Sequence, residues 1–300
     1  MSTEKEKVAG FSVLAAVFLT GFKLLVGIVT GSLGILSEAL HSTLDLVAAI
    51  ITYFSVRISD KPADYDHNFG HGKVENLSAL IETLLLLLTC VWIIYEAASR
   101  LISGNTHIEV TVWSYVVVVL SIVIDYTRSR ALYKVAKKHN SQALEADALH
   151  FATDIWSSAV VLLGLVCSSF GFYFADSFSA LAVALIVLGV SYKLGRRAID
   201  VLLDRAPKEL FDEVSALLEQ QQEVECYHDL KVRVAGADTF INVTIHLHPE
   251  LSLTQAHAIS HKVEEYLSSS ISRCEVQIHY EPHETEVSTK KNEIHELSNM

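Results

Sequence analysis

The stretch SEALHSTLD, residues 37–45, places ionisable side chains in the middle of a segment that is otherwise apolar enough to cross a bilayer. Ionisable groups are costly in lipid, so this position indicates an ion or proton pathway. His41 and Asp45 are four residues apart, so on a helix they share one face and can reach the same ion. A second pair with this spacing, His150 and Asp154, stands in another apolar segment 109 residues later. Brought face to face, the two pairs would form a four-ligand metal site.

The composition divides the chain into an apolar part and a polar part. The 300 residues are 51% hydrophobic, and six apolar segments long enough to cross about 30 Å of hydrocarbon precede Asp204. They lie near residues 10–30, 33–57, 77–100, 111–133, 143–169 and 177–199. We therefore predict a multi-pass α-helical membrane protein whose six transmembrane helices occupy residues 1–206. No small-residue cleavage site follows the first apolar run, so we expect that run to remain as an anchor.

The charges indicate an orientation and exclude one class of partner. Lys and Arg lie at one set of helix ends, Arg57 and Arg128 among them, whereas the opposite loops carry only Arg100. By the positive-inside tendency, both termini are predicted to be cytoplasmic. The net charge of −12 and the lack of a basic patch with interleaved aromatic residues exclude a nucleic-acid surface.

The four cysteines do not form a recognisable motif. Cys90 and Cys167 fall in apolar segments, Cys226 and Cys274 are far apart in the polar part, and there is no Cys-x-x-Cys. We interpret all four as buried small hydrophobic residues without a redox or ligand role.

Among the other ionisable residues of the apolar segments, four bear on the function. Lys23 stands near the end of a segment, so it could extend its ammonium to the membrane surface or pair internally with Glu38. Glu38 would share the face of His41, either as an outer gate or proton carrier or as a water-exposed residue. Glu82 and Asp125 could lie in the cavity or near a helix end. Their segments, the third and fourth, are otherwise predicted to pack and to face lipid.

The loop after the second segment holds Asp64, His67 and His71, and it contains glycines that let the backbone bend closely. The spacing could gather the three side chains on one cation. A solvated loop with two histidines is the alternative.

After Pro207 the pattern changes to that of a small α+β domain. Residues 208–222 and 254–268 read as helices, whereas 228–234, 239–248 and 273–280 alternate as strands do. The order α-β-β-α-β predicts a two-layer cytoplasmic domain over residues 207–283. The polar tail, residues 284–300, is predicted to be disordered.

The donor set of the two His-x-x-x-Asp pairs predicts a divalent metal as cargo. Imidazole and carboxylate ligands suit four-coordinate Zn²⁺ and also serve Cd²⁺, Fe²⁺ or Co²⁺. Protein ligands at all four positions leave no place for the reactive water of a catalytic zinc site. Protons compete with metal for these ligands, so we predict exchange of Zn²⁺ for H⁺. The alternative is that each pair only bonds one helix to another.

These residues together resemble the cation diffusion facilitator family, in its bacterial zinc- and iron-type members, over roughly residues 8–283. The resemblance also rests on HNFGHGKVE (67–75), on LLDRA (202–206) and on the α-β-β-α-β order. It implies a homodimer whose six-helix membrane domain transports divalent cations. It also implies a metallochaperone-like cytoplasmic domain that binds further metal, such as structural Zn²⁺, and steadies the dimer.

Carried over by position, the resemblance implies three metal sites. The transport site would comprise His41, Asp45, His150 and Asp154, and the loop site Asp64, His67 and His71. The cytoplasmic site would draw on His228, His257, His279 and Glu281. One expected ligand there falls on Thr244, so His246 or His248 could substitute, and His261 could join. Lys73 and Asp204 match a charged pair that locks the helices at the dimer hinge. A His at the first transport position accompanies zinc and cadmium in this family.

We therefore predict a Zn²⁺/H⁺ antiporter of the bacterial inner membrane, with Cd²⁺ and Fe²⁺ as further candidate cargo. A passive divalent channel, or a metal sensor with an inert membrane anchor, is the alternative. A channel would move metal without counter-flow of protons, and a sensor would move none. A membrane metallohydrolase is disfavoured because the chain has no His-Glu-x-x-His motif.

Overall fold

The computed structural model of the protein describes residues 3–31, 33–103, 112–169 and 174–283. The chain divides into two compact units, Met1–Ile199 and Asp200–Met300. The tail 284–300, which was predicted to be disordered, lies outside the described residues.

Each predicted apolar segment coincides with a long helix. In the described residues these helices are α1 (Glu4–Thr30), α2 (Leu33–Ser59), α3 (Lys73–Ser103), α4 (Val112–His139), α5 (Gln142–Ser169) and α6 (Phe174–Leu202). Three described stretches are long and apolar enough to cross a membrane, namely Glu4–Thr30, Ala39–Ser59 and Lys73–Tyr95. The helix α1 begins with a capping box between Thr3 and Glu6 and ends at Gly31 in the left-handed conformation.

Small side chains and one buried carboxylate hold the first unit together. The helix α1 packs against α2 and α4, α4 against α5, and α3 against α2 and α5. Gly195 of α6 allows close approach to α3, because a Cβ there would lie 2.9 Å from Thr83 Cγ2. Glu75 is 1% exposed and accepts hydrogen bonds from Lys5 and Ser59, each at 2.9 Å, and from Ser141. The carboxylate thereby links α1, α2, α3 and the start of α5.

Two basic residues lie inside the first unit rather than at its surface. Lys23 is 4% exposed and its Nζ donates to Ser42 Oγ at 2.8 Å, so of its two predicted positions the internal one is found and the membrane surface is not. Arg128 was expected at a helix end. It is 1% exposed because α4 continues about three turns beyond it, to His139. Glu82 and Asp125 are buried as well, so α3 and α4 do more than face lipid.

The second unit has the predicted α-β-β-α-β order. It comprises α7 (Lys208–Glu219), β1 (Cys226–Ala235), β2 (Asp238–Leu247), α8 (Leu253–Ser270) and β3 (Cys274–Pro282). The central strand β2 pairs antiparallel with β1 and parallel with β3. Both helices and one face of β2 contribute to a single core. The helices provide Val214, Leu218, Val263 and Leu267, and the strand provides Ile241, Val243 and Ile245. Alternation along β2 therefore turns Thr244 and His246 to the opposite face.

Candidate metal sites

The two His-x-x-x-Asp pairs meet in the interior of the first unit. His150 Nε2 lies 3.1 Å from Asp45 Oδ1 and 3.6 Å from Asp154 Oδ2. His41 Nε2 lies 3.9 Å from Asp45 Oδ1 and 3.8 Å from Asp154 Oδ1. A tetrahedral Zn²⁺ with bonds of about 2.1 Å would hold such atoms about 3.4 Å apart. One ligand atom each from His41, Asp45 and Asp154 lies within 4.8 Å of the others, and His150 Nε2 adjoins both carboxylates, so these separations are close to those that one dication requires.

We call this group the intramembrane cluster, because His41 and Asp45 lie in the apolar stretch Ala39–Ser59, and it forms where α2 and α5 touch. His150 is 2% exposed, whereas the side chain of His41 is 24% exposed, so His41 is the less buried of the two imidazoles. His150 Nδ1 and Asp154 Oδ2 are buried and have no hydrogen-bond partner in the described part of the chain. These atoms remain available to an ion or a proton.

A second layer of buried polar groups lies in the same unit, and the sequence reasoning missed most of it. Arg128 Nη1 lies 3.2 Å from Asp125 Oδ1, and its guanidinium stacks on Phe151 at 3.5 Å from the ring centroid. Arg128 Nη2 also donates to Ser12 Oγ at 3.1 Å, and Ser12 donates to Asp147 Oδ2 at 3.3 Å. The sequence did contain a signal for Asp147, since this residue stands three positions before the predicted ligand His150 and shares its helix face.

Glu38 and Glu82 are two other ionisable residues of the apolar segments. The Glu38 side chain lies outside the part of the structure that is described. Glu82 is fully buried and accepts hydrogen bonds from Thr52 and, at 3.4 Å, from Ser78. Its Oε2 has no partner among the described residues, which leaves a second carboxyl oxygen available inside the unit.

The loop between α2 and α3 gathers the three predicted side chains. Asp64 Oδ1 lies 3.2 Å from His67 Nδ1, and Asp64 Oδ2 lies 3.3 Å from His71 Nε2. One ligand atom from each residue can lie within 4.8 Å of the others. Gly70, with φ of 73°, provides the backbone turn between the histidines. The His67 backbone N–H donates to Asp64 at 2.7 Å and lowers the pKa of that carboxyl, which favours the ionised form that a cation needs.

The sheet of the second unit gathers a different set from the one predicted. His246 Nε2 lies 3.0 Å from His228 Nδ1 and 3.8 Å from Glu281 Oε2. The strand register explains this group, because His246 of β2 is paired with Glu281 of β3. His246 also stands two residues beyond Thr244 on the same face of the sheet. His279 joins it indirectly, with Nε2 3.3 Å from Glu281 Oε1. Of the two proposed substitutes for Thr244, the structure favours His246.

Three predicted histidines do not join this group. His248 follows the last residue of β2 and is exposed, with Nδ1 accepting the Glu250 backbone N–H at 3.4 Å. His257 and His261 are exposed on α8, which packs on the opposite face of the sheet, and their rings lie 4.9 Å apart. In the described residues these three side chains therefore lie apart from the group around His246, and their role as ligands stays a prediction.

The structure also places a cysteine beside histidine, contrary to its interpretation as a small hydrophobic residue. Cys226 Sγ lies 3.7 Å from His283 Nδ1, and these two residues form a further candidate group with His246. Cys90, by contrast, is buried in an apolar cluster, and the side chain of Cys167 lies outside the described part.

The two residues predicted for the dimer hinge fall in different units. Lys73 begins α3 in the first unit. Asp204 follows α6, has a positive φ of 58°, and its Oδ2 lies 3.9 Å from Arg233 Nη1 within the second unit.

The first unit is apolar and helical and contains buried side chains of the types that bind metals, and the second is a small α/β unit. These features indicate a membrane protein that binds cations. Two family models match the chain. The model of the cation efflux transmembrane domain matches residues 10–203, and that of the cation efflux protein cytoplasmic domain matches residues 206–283. The chain belongs to this cation efflux, or cation diffusion facilitator, family.

Relatives match along nearly the whole chain. The cation-efflux pump FieF of Shewanella oneidensis is 32% identical over 283 residues, which cover 93% of this chain and 94% of the relative. An uncharacterised transporter of Methanocaldococcus jannaschii is 33% identical over 267 residues, which cover 89% and 94%. A solved cytosolic domain of a cation diffusion facilitator family protein is 28% identical, covering 25% of this chain and 89% of that one, with a TM-score of 0.23. This chain is a membrane-embedded cation efflux transporter.

Proposed function

We propose that the protein exports Zn²⁺ from the cytoplasm in exchange for protons, through the intramembrane cluster of His41, Asp45, His150 and Asp154. One observation carries the proposal. The Nε2 atom of each imidazole lies between 3.1 and 3.9 Å from one oxygen of each carboxylate, near the separations of a tetrahedral zinc site.

The chemistry of the cluster favours zinc over harder cations. Two carboxylates balance the charge of a dication while two neutral imidazoles complete the coordination, so the filled site carries little net charge. Mg²⁺ and Ca²⁺ prefer all-oxygen sites with six or more ligands. Cd²⁺ and Fe²⁺ accept the same donors, so cavity shape must decide among these three ions.

Proton coupling follows from the same side chains. Metal binding requires neutral imidazole and ionised carboxylate, so loading with Zn²⁺ releases protons and reprotonation expels the metal. Asp125, Asp147 and Glu82 are buried in the same unit and provide further groups that can hold a proton. A pathway with alternate access to the two sides would convert this competition into antiport.

The remaining assignments complete the proposal. Residues 1–206 would form a six-helix membrane domain in a bacterial inner membrane, and residues 207–283 a domain on the cytoplasmic side, where both termini lie. The protein would act as a homodimer, with Lys73 and Asp204 at the hinge. The loop group of Asp64, His67 and His71, and the sheet group around His246, would hold further Zn²⁺.

Transport in proteoliposomes tests the proposal. The purified full-length protein is reconstituted with a zinc dye and a pH dye inside, and a pH gradient is imposed across the membrane. We expect zinc movement in one direction and proton movement in the other. Asp154→Asn should reduce zinc flux by more than the about 10- to 100-fold typical of losing a partner that only orients a metal ligand.

A neighbouring threonine provides the matched control. Thr153 precedes the ligand Asp154 on α5, but its hydroxyl donates to the His150 carbonyl at 2.7 Å. Thr153→Ala should therefore retain flux. Zinc flux that ignores the pH gradient would identify a passive channel, and absence of flux from the wild type would favour a sensor. Unchanged flux in Asp154→Asn would show that the site lies elsewhere.

A further inference from the structure

Cys226, His246 and His283 converge at one edge of the cytoplasmic sheet, where β1 begins and β3 ends. Cys226 pairs with His246 across β1 and β2, so both side chains lie on the same face. The His283 backbone N–H donates to the Leu247 carbonyl at 2.8 Å, which brings residue 283 back to this edge. One ligand atom from each of the three residues can lie within 4.8 Å of the others.

The separations suit a metal bound through sulfur. Zn²⁺ bonds of about 2.3 Å to thiolate and about 2.1 Å to imidazole, at a tetrahedral angle, place the two donors about 3.6 Å apart. Cys226 Sγ and His283 Nδ1 are 3.7 Å apart. The rings of His246 and His283 are perpendicular, with centroids 6.0 Å apart, so the imidazoles approach one another without stacking.

His246 supplies an independent sign of a ligand. The residue is 3% exposed, and its Nδ1 is buried without a hydrogen-bond partner in the described residues. Leaving a polar atom buried in this way costs free energy unless something binds to it. The other ring nitrogen, Nε2, lies 3.0 Å from His228 Nδ1. The tautomer that donates from Nε2 to His228 leaves the Nδ1 lone pair able to bind a metal.

We propose that Cys226, His246 and His283 bind a thiophilic divalent cation, Zn²⁺ or Cd²⁺, at a site separate from the transport site. His246 belongs to both this group and the group with His228 and Glu281, so the two groups are alternative uses of one imidazole. In the Cys226 site, His228 is a positioning residue, since it selects the His246 tautomer as partners of metal-bound histidine commonly do. Binding releases the thiol proton to solvent and leaves one coordination position for water. The thiolate makes this donor set softer than the carboxylate-rich intramembrane cluster, which favours Cd²⁺ relative to Zn²⁺ more strongly here.

Cobalt substitution of the full-length protein tests the site. The purified protein in detergent is stripped of metal, kept reduced with a phosphine and titrated with Co²⁺. A thiolate ligand produces an intense sulfur-to-cobalt charge-transfer absorption in the near ultraviolet, which imidazole and carboxylate ligands do not produce. We expect this absorption in the wild type and its complete loss in Cys226→Ser.

Cys274→Ser is the matched control. Cys274 is a second half-buried thiol of the same sheet, and it packs against the apolar core. This variant should keep the full absorption. His283→Ala should keep the fold and shift the Co²⁺ titration to about 10-fold higher concentration or beyond. The helical circular dichroism of every variant checks that it is folded.

The outcomes separate this proposal from the transport mechanism. Absence of the absorption in the wild type, its survival in Cys226→Ser or its loss in Cys274→Ser would overturn the thiolate site. None of these results depends on zinc flux, which is measured in proteoliposomes. Loss of flux in Asp154→Asn with the absorption intact would support both assignments, because the two sites use different residues.

Discussion

The intramembrane cluster and the sheet cluster use similar donors but are assembled in different ways. In the first unit, each of two helices contributes an imidazole and a carboxylate four residues apart. In the second unit, His228, His246 and Glu281 come from three different strands, and their meeting depends on the register of both strand pairs. A ligand pair on a helix is a local feature, whereas a ligand set on a sheet is a feature of the tertiary structure.

The surroundings of the two clusters differ as well. The intramembrane cluster shares its unit with the buried cations of Lys23 and Arg128 and with further buried acids. The sheet cluster combines buried His246 with half-buried His228 and Glu281 at the surface of the domain. We expect the first cluster to exchange metal against protons within a structured polar network. The second is better suited to hold metal in equilibrium with the solvent.

The comparison predicts its largest effect for the two buried histidines. His150→Ala should reduce zinc flux in proteoliposomes to background, because it removes one of four ligands from the transport site. His246→Ala should leave the initial rate within about twofold while lowering the number of tightly bound zinc ions, counted by mass spectrometry of the metal. Equal loss of flux in both variants would show that the sheet cluster belongs to the transport pathway.

The buried charges around the intramembrane cluster allow a second test. Arg128→Met roughly retains the side-chain volume but leaves the buried Asp125 carboxylate without its cation. We expect a loss of about 3–5 kcal/mol in the free energy of unfolding, measured in mixed micelles. The double variant Arg128→Met/Asp125→Asn should recover most of that loss. A cost below about 1 kcal/mol for the single variant would mean that solvent reaches the pair.

The helical part of the fold was largely predictable, because apolar runs of membrane length and i,i+4 ligand pairs are local. Helix ends were less predictable, since polar residues continue α4 beyond its apolar run, and this is why Arg128 was expected at a helix end. The position of Lys23 stayed open between two alternatives for a related reason. Ser42, which accepts from it, lies on the next helix, and sequence spacing does not show which faces of α1 and α2 meet.

The sheet illustrates what sequence could not provide. Alternating residues predicted the strands and their order, but not which neighbour would replace Thr244. His246 follows Thr244 on one face, whereas His248 stands just past the end of β2 and turns away. Cys226 and His283 are 57 residues apart and meet only because β1 and β3 both pair with β2. No local spacing rule would have joined them.

Metal removal should distinguish the two histidines at the end of β2. Saturating Zn²⁺ at about 100 times the dissociation constant would stabilise the cytoplasmic domain by about 2.7 kcal/mol. We expect this as slower hydrogen exchange of the β1, β2 and β3 backbones in the full-length protein, reversed by a chelator. His246→Ala should abolish the zinc-dependent protection, whereas His248→Ala should retain it. Equal protection in both variants would remove His246 from the site.

The smallest effect concerns the core side of the same sheet. Burial raises the pKa of the Cys274 thiol from 9.0 to about 11. The folded state therefore disfavours the thiolate, so its contribution to stability is present below the pKa of the unfolded chain. That contribution is lost as pH rises from about 9 through 11. The full difference corresponds to about 2.7 kcal/mol, and partial solvent screening should reduce it to about 1 kcal/mol or less.

Cys274→Ala should flatten hydrogen-exchange protection of β3 across this pH range, once corrected for the intrinsic exchange rate. An unchanged slope would show that the thiol is already solvated, and Cys226→Ala, with zinc removed, serves as the control on the opposite face.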